Sequence, residues 1–228
     1  MIPLRDNQIN TRVPLVTWTL FALYCVIFVW DREGSLTGPS IVFADLAMRP
    51  DRVVAALGMT EDRFQHVKIF TSIFLHGSLL HLVGNLLFLV AFGNSVENAL
   101  GPFRYALYYL FWGLAASAAH VFVDPTSSIP TLGASGAIGG VLGAYFLLFP
   151  ANKIEVWVPI LAFITVVVSA WVLLGVWFLW QIFVPQQGVA NWAHAGGFLA
   201  GMATVLVMGG RARVLKDKRY EVDHEFEA

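Results

Sequence analysis

Four residues of this 228-residue chain have the side-chain types that acyl transfer needs: Ser135, His194, His81 and Asn85. A serine becomes nucleophilic when a base stands within about 2.6–3.2 Å to take its proton. The oxyanion that follows needs hydrogen-bond donors. His81 and Asn85 are four residues apart, so on a helix they share one face. Ser135 lies in the small-residue run Gly133-Ala134-Ser135-Gly136-Ala137-Ile138-Gly139-Gly140-Val141-Leu142-Gly143. His194 lies in Asn191-Trp192-Ala193-His194-Ala195-Gly196-Gly197-Phe198-Leu199-Ala200-Gly201. No carboxylate is well placed behind His194, so these residues point to a Ser–His dyad rather than a triad. Asp124, just before Pro125 in a turn-rich stretch, reads as a turn residue.

The elements that must position them are set by composition. The chain is 57% apolar and 13% charged, about half the charge of an ordinary soluble domain. Of its 14 Lys+Arg and 15 Asp+Glu, only Glu97, Arg104, Asp124, Lys153 and Glu155 fall between residues 69 and 210. So long an uncharged, Trp- and Phe-rich stretch implies a polytopic membrane protein. A net charge of −1 leaves no basic groove for nucleic acid. The lone Cys25 excludes a disulfide scaffold.

Six helices are predicted, giving an all-α membrane bundle. They run over Val13–Trp30, from about Phe70 to Val96, from Phe103 to about Val123, from Gly133 to Phe149-Pro150, within Val156–Val184, and over about Val189–Met208. The first ends Trp30-Asp31-Arg32 and reads as retained rather than cleaved. The fifth is longer than one span requires, with Pro159 near its start, and reads as an interfacial lead-in followed by a helix. Gln186-Gln187-Gly188 marks a loop before the sixth. Residues 1–12 form an N-terminal segment, 13–210 the helical core with a mixed-charge outer loop at 31–69, and 211–228 a basic and acidic tail.

Six spans put both termini on one side. Taking that side as cytoplasmic places Arg5, Arg12, Arg104, Lys153, Arg211, Arg213, Lys216, Lys218 and Arg219 inside, against Arg32, Arg49, Arg52, Arg63 and Lys68 outside. This fits the positive-inside rule. The second, fourth and sixth helices then run the same way, and each carries its polar cluster near its start. His81, Asn85, Ser135 and His194 should therefore share one depth. Small residues at four-residue spacing, Ser135/Gly139/Gly143 and Ala193/Gly197/Gly201, let the fourth and sixth helices approach closely. That contact would bring Ser135 toward His194. The Ser135 N–H, at a helix start, is free to serve an anion.

In its motifs the chain resembles the rhomboid intramembrane serine proteases. The resemblance rests on His76-Gly77-Ser78-Leu79-Leu80-His81-Leu82-Val83-Gly84-Asn85, then Glu97, then Gly133-Ala134-Ser135-Gly136, then Ala193-His194-Ala195-Gly196-Gly197 with Gly201. It implies Ser135 as nucleophile and His194 as general base and later acid. It implies an oxyanion hole of His81, Asn85 and the Ser135 amide. His76 and Glu97, with Gly133, Gly136, Gly197 and Gly201, match structural positions. No metal and no cofactor are implied. The partners implied are the lipid bilayer and transmembrane protein substrates, cut in or near a helix-destabilised stretch, and a prokaryotic inner membrane is the expected location. Rhomboids often carry an aromatic residue four after the serine, packed on the base; Gly139 stands there instead. Many carry Trp-Arg in the first loop, where Val67-Lys68 is the nearest pair. The chain reads as the minimal core form.

Plainer readings compete. A lone serine in a membrane helix is most often a packing residue, but four polar groups in phase across three helices favour chemistry. A histidine metal site is disfavoured, since no H-E-x-x-H occurs and His76 is turned away from the His81 face. His120 reads as interfacial, His66 and His224 as solvated, and Trp171, Trp177 and Trp180 as lipid-facing or interfacial anchors. The tail Arg211–Arg219 reads as a topology signal. A non-catalytic rhomboid-like client binder has no need for both Ser135 and His194, and a transporter should show internal repeats, of which none is visible.

Overall fold

A computed structural model describes residues 2–39, 43–58, 64–158, 164–184, 186, 188–216 and 221–222. Arg63, Pro159, Gln187, Lys218, Arg219 and His224 lie outside the described residues. In chain order the elements are β1 (Ile2–Asp6), β2 (Gln8–Ile9), α1 (Leu15–Trp30), α2 (Phe43–Leu46), α3 (Pro50–Leu57), α4 (Gln65–Thr71), a 3-10 turn (Ser72–Phe74), α5 (Leu79–Leu100), α6 (Pro102–Val123), α7 (Ser135–Leu148), β3 (Lys153–Trp157), β4 (Thr165–Ser169), α8 (Ala170–Phe183), α9 (Asn191–Val207), α10 (Gly210–Val214) and β5 (Glu221–Val222). The protein is mostly helical. Of these helices, α5 and α6 are long and apolar enough to cross a membrane, while α1, α7 and α8 are apolar but shorter.

The six long helices match the six expected ones, with two differences of substance. The second does not run on from Phe70. Ser78 is extended (φ −154°, ψ 161°) and its side chain accepts from the His81 N–H at 3.1 Å. That N-cap starts a new helix and sets His81 in its first turn. The lead-in to the fifth contains strand: β3 and β4 precede α8. β1, β3 and β4 form a three-stranded antiparallel sheet, and β2 pairs with β5. The N-terminal segment is thus tied to the loop before α8, with an exposed Arg5–Glu155 ion pair at 2.8 Å. The loop between α1 and α5 also holds structure, α2 to α4, and a β-bridge joins its Met48 to Thr131.

At the centre stands α7, buried along most of its length and packed against α5, α6, α8 and α9. Its closest partner is α9. A Cβ on Gly143 would run into the Phe198 carbonyl, on Gly197 into the Gly136 carbonyl, and on Gly201 into the Gly140 carbonyl. Only glycine lets backbone meet backbone here, so the small-residue stripes fix the spacing of these two helices. Polar pairs lock the rest: Trp112 Nε1 donates to Thr204 Oγ1 at 2.9 Å between α6 and α9, and the Tyr24 and Tyr109 hydroxyls meet at 2.7 Å between α1 and α6. Less of α8 is enclosed, and Trp171, Leu179, Trp180 and Phe183 are exposed along it.

Candidate active site

The α7–α9 contact delivers two side chains to one point. Ser135 opens α7, His194 lies in the first turn of α9, and Ser135 Oγ stands 2.7 Å from His194 Nε2. The serine and histidine expected to meet do so, within the distance at which an imidazole can take a hydroxyl proton. Both border a cavity of about 460 Å³ that His81, Asn85 and Gly133 also line. Gly133 holds φ +123°, which L side chains rarely adopt. A Cβ on it would lie 2.8 Å from His81 Nε2 and 3.6 Å from Ser135 Oγ, so its bare backbone keeps the space between them open.

The expected donors surround that space. Asn85 is buried, and its Nδ2 has no hydrogen-bond partner among the described residues. Such an orphan is costly unless something else fills it. Ser135 is the first residue of α7, where backbone N–H groups lie ahead of the helical ladder. His76 packs edge-on against His81, with ring centroids 5.3 Å apart, and against Tyr24 at 5.2 Å. Gly136 abuts Ala116 of α6. Glu97 lies elsewhere, at the far end of α5, where it caps the start of α1. Among the described residues no group of three His, Cys, Asp or Glu stands together as a metal site would require.

The family of this arrangement can now be named. A Rhomboid domain family model matches residues 63–211, which covers α4 to α9 and every site residue above. The chain belongs to the rhomboid family. That family is one of integral membrane proteins and includes serine proteases. Among its relatives, RHOMBOID-like protein 5 of Arabidopsis thaliana is 32% identical over 174 residues, 75% of this chain and 51% of that protein. Rhomboid protease GlpG of Salmonella typhi is 26% identical over 199 residues, 87% of this chain and 65% of its own. Rhomboid protease GluP of Bacillus subtilis is 32% identical over 142 residues, 62% of this chain and 26% of its own. The chain spans about half the length of the first of these.

Within this rhomboid, several contributors escaped the sequence reading. His194 Nδ1 lies 2.8 Å from Gln181 Oε1 of α8, and the His194 ring stacks on Trp177 of the same helix at 5.9 Å and 30°. Trp177 is therefore not simply a lipid anchor: it packs within the protein, on the imidazole. Asn191 Nδ2 donates to the Gln181 and Val184 carbonyls at 3.2 and 3.1 Å. Arg32 is no solvated loop charge: it is buried, 3.0 Å from Asp31, over the Phe28 ring, and it donates to the His76 carbonyl at 2.8 Å. A buried cation thus pins the loop that precedes His81. His120 is buried within the bundle, and its Nδ1 has no hydrogen-bond partner among the described residues. Asp124 ends α6 and accepts from the Ser127 N–H at 3.3 Å, as a turn residue should. The signal for Gln181 was present, since it is the one strongly polar side chain in Ala170–Phe183; which way it faced was not.

Proposed function

We propose that this rhomboid is an intramembrane serine endopeptidase that cuts transmembrane proteins in or near their spanning segments through an acyl-enzyme. The observation that carries the reading is the 2.7 Å approach of Ser135 Oγ to His194 Nε2 beside a cavity that holds an unpartnered Asn85 donor. His194 takes the hydroxyl proton as Oγ attacks the scissile carbonyl carbon. The oxyanion is held by Asn85, His81 and the Ser135 N–H. The C–N bond then breaks, and His194 passes the proton to the leaving amine. Water, deprotonated by His194, attacks the ester carbonyl and restores Ser135.

A backbone carbonyl bonded within a helix is poorly exposed to Oγ, so the substrate is a segment that unwinds readily. The topology belongs to the same proposal: six spans (α1 and α5 to α9) within a core of residues 13–210, both termini cytoplasmic, in a prokaryotic inner membrane. His76, Glu97, Gly133, Gly136, Gly197 and Gly201 serve structure in this reading.

The test is cleavage of a transmembrane reporter by the purified chain in liposomes, beside Ser135→Ala and His194→Ala, with fluorophosphonate labelling of the serine. Wild type cuts and is labelled; both variants fold and do neither. Cleavage by Ser135→Ala at the wild-type rate overturns the mechanism, and a folded wild type that neither cuts nor labels leaves a client-binding rhomboid as the reading.

A further inference from the structure

We propose that Gln181 is the positioning residue that completes the base, so that His194 is competent only while the site end of α8 is docked. The inference rests on the serine-protease reading. For Nε2 to accept the Ser135 proton, the ring's own proton must sit on Nδ1. The amide oxygen of Gln181, 2.8 Å from Nδ1, can only accept, so it selects that tautomer and fixes the ring's rotation. Gln181 is itself 6% exposed, which leaves its oxygen little solvent to turn to.

The second restraint on the ring comes from the same helix. Trp177 is one turn before Gln181, on the same face of α8, and stacks on the imidazole. Gly139 gives no side chain to the ring; a Cβ there would press on the His194 carbonyl oxygen at 2.8 Å. Nucleophile and base are thus spaced by α7 and α9, while α8 supplies the Nδ1 partner and the stacking ring that orient the base.

These two attachments differ in kind. The α7–α9 spacing is set by glycine against backbone. The site end of α8 is held by side chains: Trp177 and Phe178 pack on Phe198, and the Asn191 amide satisfies two of the carbonyls that a helix C-terminus leaves free. Movement of that end would break the Gln181 and Trp177 contacts together and leave Ser135 and His194 at the same backbone spacing. The orienting group is a neutral amide where triads place a carboxylate. The titratable groups whose charge reaches the ring are His81 from α5 and His120 from α6, so a carboxylate introduced at position 181 would add a charge of new sign.

The experiment uses the full chain in liposomes, with Gln181→Leu, Gln181→Glu and Asn191→Ala. It measures fluorophosphonate labelling rate against probe concentration, reporter kcat and KM, and the pH profile of each. Gln181→Leu should lower the limiting labelling rate and kcat by about 30- to 100-fold, within what a positioned base contributes, with KM and probe affinity unchanged. Gln181→Glu should recover most of that loss, with the acid limb of its profile moved to higher pH. Asn191→Ala, which keeps Gln181 but frees the helix end, should show the same pattern more weakly.

Wild-type labelling rates in Gln181→Leu, or a loss confined to KM, overturn the proposal. If the leucine variant does not fold, an acid limb unmoved in Gln181→Glu overturns it instead. An unchanged rate in Asn191→Ala removes the docking half. Failure of wild type itself to label strikes the serine-protease reading and is thereby distinguished.

Discussion

The two ends of α5 carry buried polar side chains that live under opposite conditions. Toward its C-terminus Glu97, 3% exposed, accepts three hydrogen bonds: from the Val16 N–H at 2.9 Å, the Thr17 N–H at 2.7 Å and the Thr17 hydroxyl at 2.8 Å. It supplies the anion and the acceptors that the N-terminus of α1 lacks. Near the other end Asn85, 8% exposed, has no partner for its Nδ2 among the described residues, beside the cavity. Burial is similar and satisfaction is not. A polar group whose partners are all present holds the fold together, whereas in the proposed reading an orphan donor beside Ser135 is kept for an atom that arrives with the substrate.

This contrast breaks most visibly at Asn85. Asn85→Ala should cost about 10²- to 10³-fold in turnover, the usual loss on removing an oxyanion donor, with substrate affinity kept. Its melting temperature should hold or rise, because alanine removes a buried group that had no partner. A fall in stability with turnover intact would assign Asn85 to structure. Glu97→Ala should do the reverse. It strands three donors at once and should lose about 3 kcal/mol of stability, while the fraction still folded is labelled by fluorophosphonate at the wild-type rate. An unchanged melting temperature for Glu97→Ala would show that its three bonds contribute nothing net.

What could be read from the residues alone divides along the same line. Ser135, His194, His81 and Asn85 were legible because a polar group in a long apolar run has few harmless explanations. The glycine stripes were legible because close helix contact demands them at four-residue spacing. Arg32 was not, since a charge just past a helix end reads equally as a solvated flank, and only the fold carries it inward to the His76 carbonyl. Trp177 could not be told from Trp171 and Trp180, because an apolar helix with no polar face gives no phase to its aromatics. The sheet went unread although its strands carry the signal: Lys153-Ile154-Glu155-Val156-Trp157 alternates, and Thr165-Val166-Val167-Val168 is β-branched. Beside long hydrophobic helices, five-residue strands merge into the next apolar run.

Between the extremes of Glu97 and Asn85 stands Asp6, which closes β1. Its Oδ2 accepts from Ser95 Oγ and from the Tyr145 hydroxyl, each at 2.7 Å, so it is partnered. Both partners are neutral, however, and burial outweighs them, pushing the carboxyl up to about 6. A folded-state value above the unfolded one near 4 means that the fold favours the protonated acid. The stability this confers is complete below about pH 4 and is lost as pH rises through about 6. Asp6→Asn keeps an acceptor and cannot ionise. It should therefore melt with wild type at pH 4 and above it at pH 7, the smallest of the three effects, as read by thermal melts across that range. A wild type that gains on the variant as pH rises would mean that the Ser95 and Tyr145 hydrogen bonds hold the carboxylate better than burial penalises it, and Asp6 would then belong with Glu97.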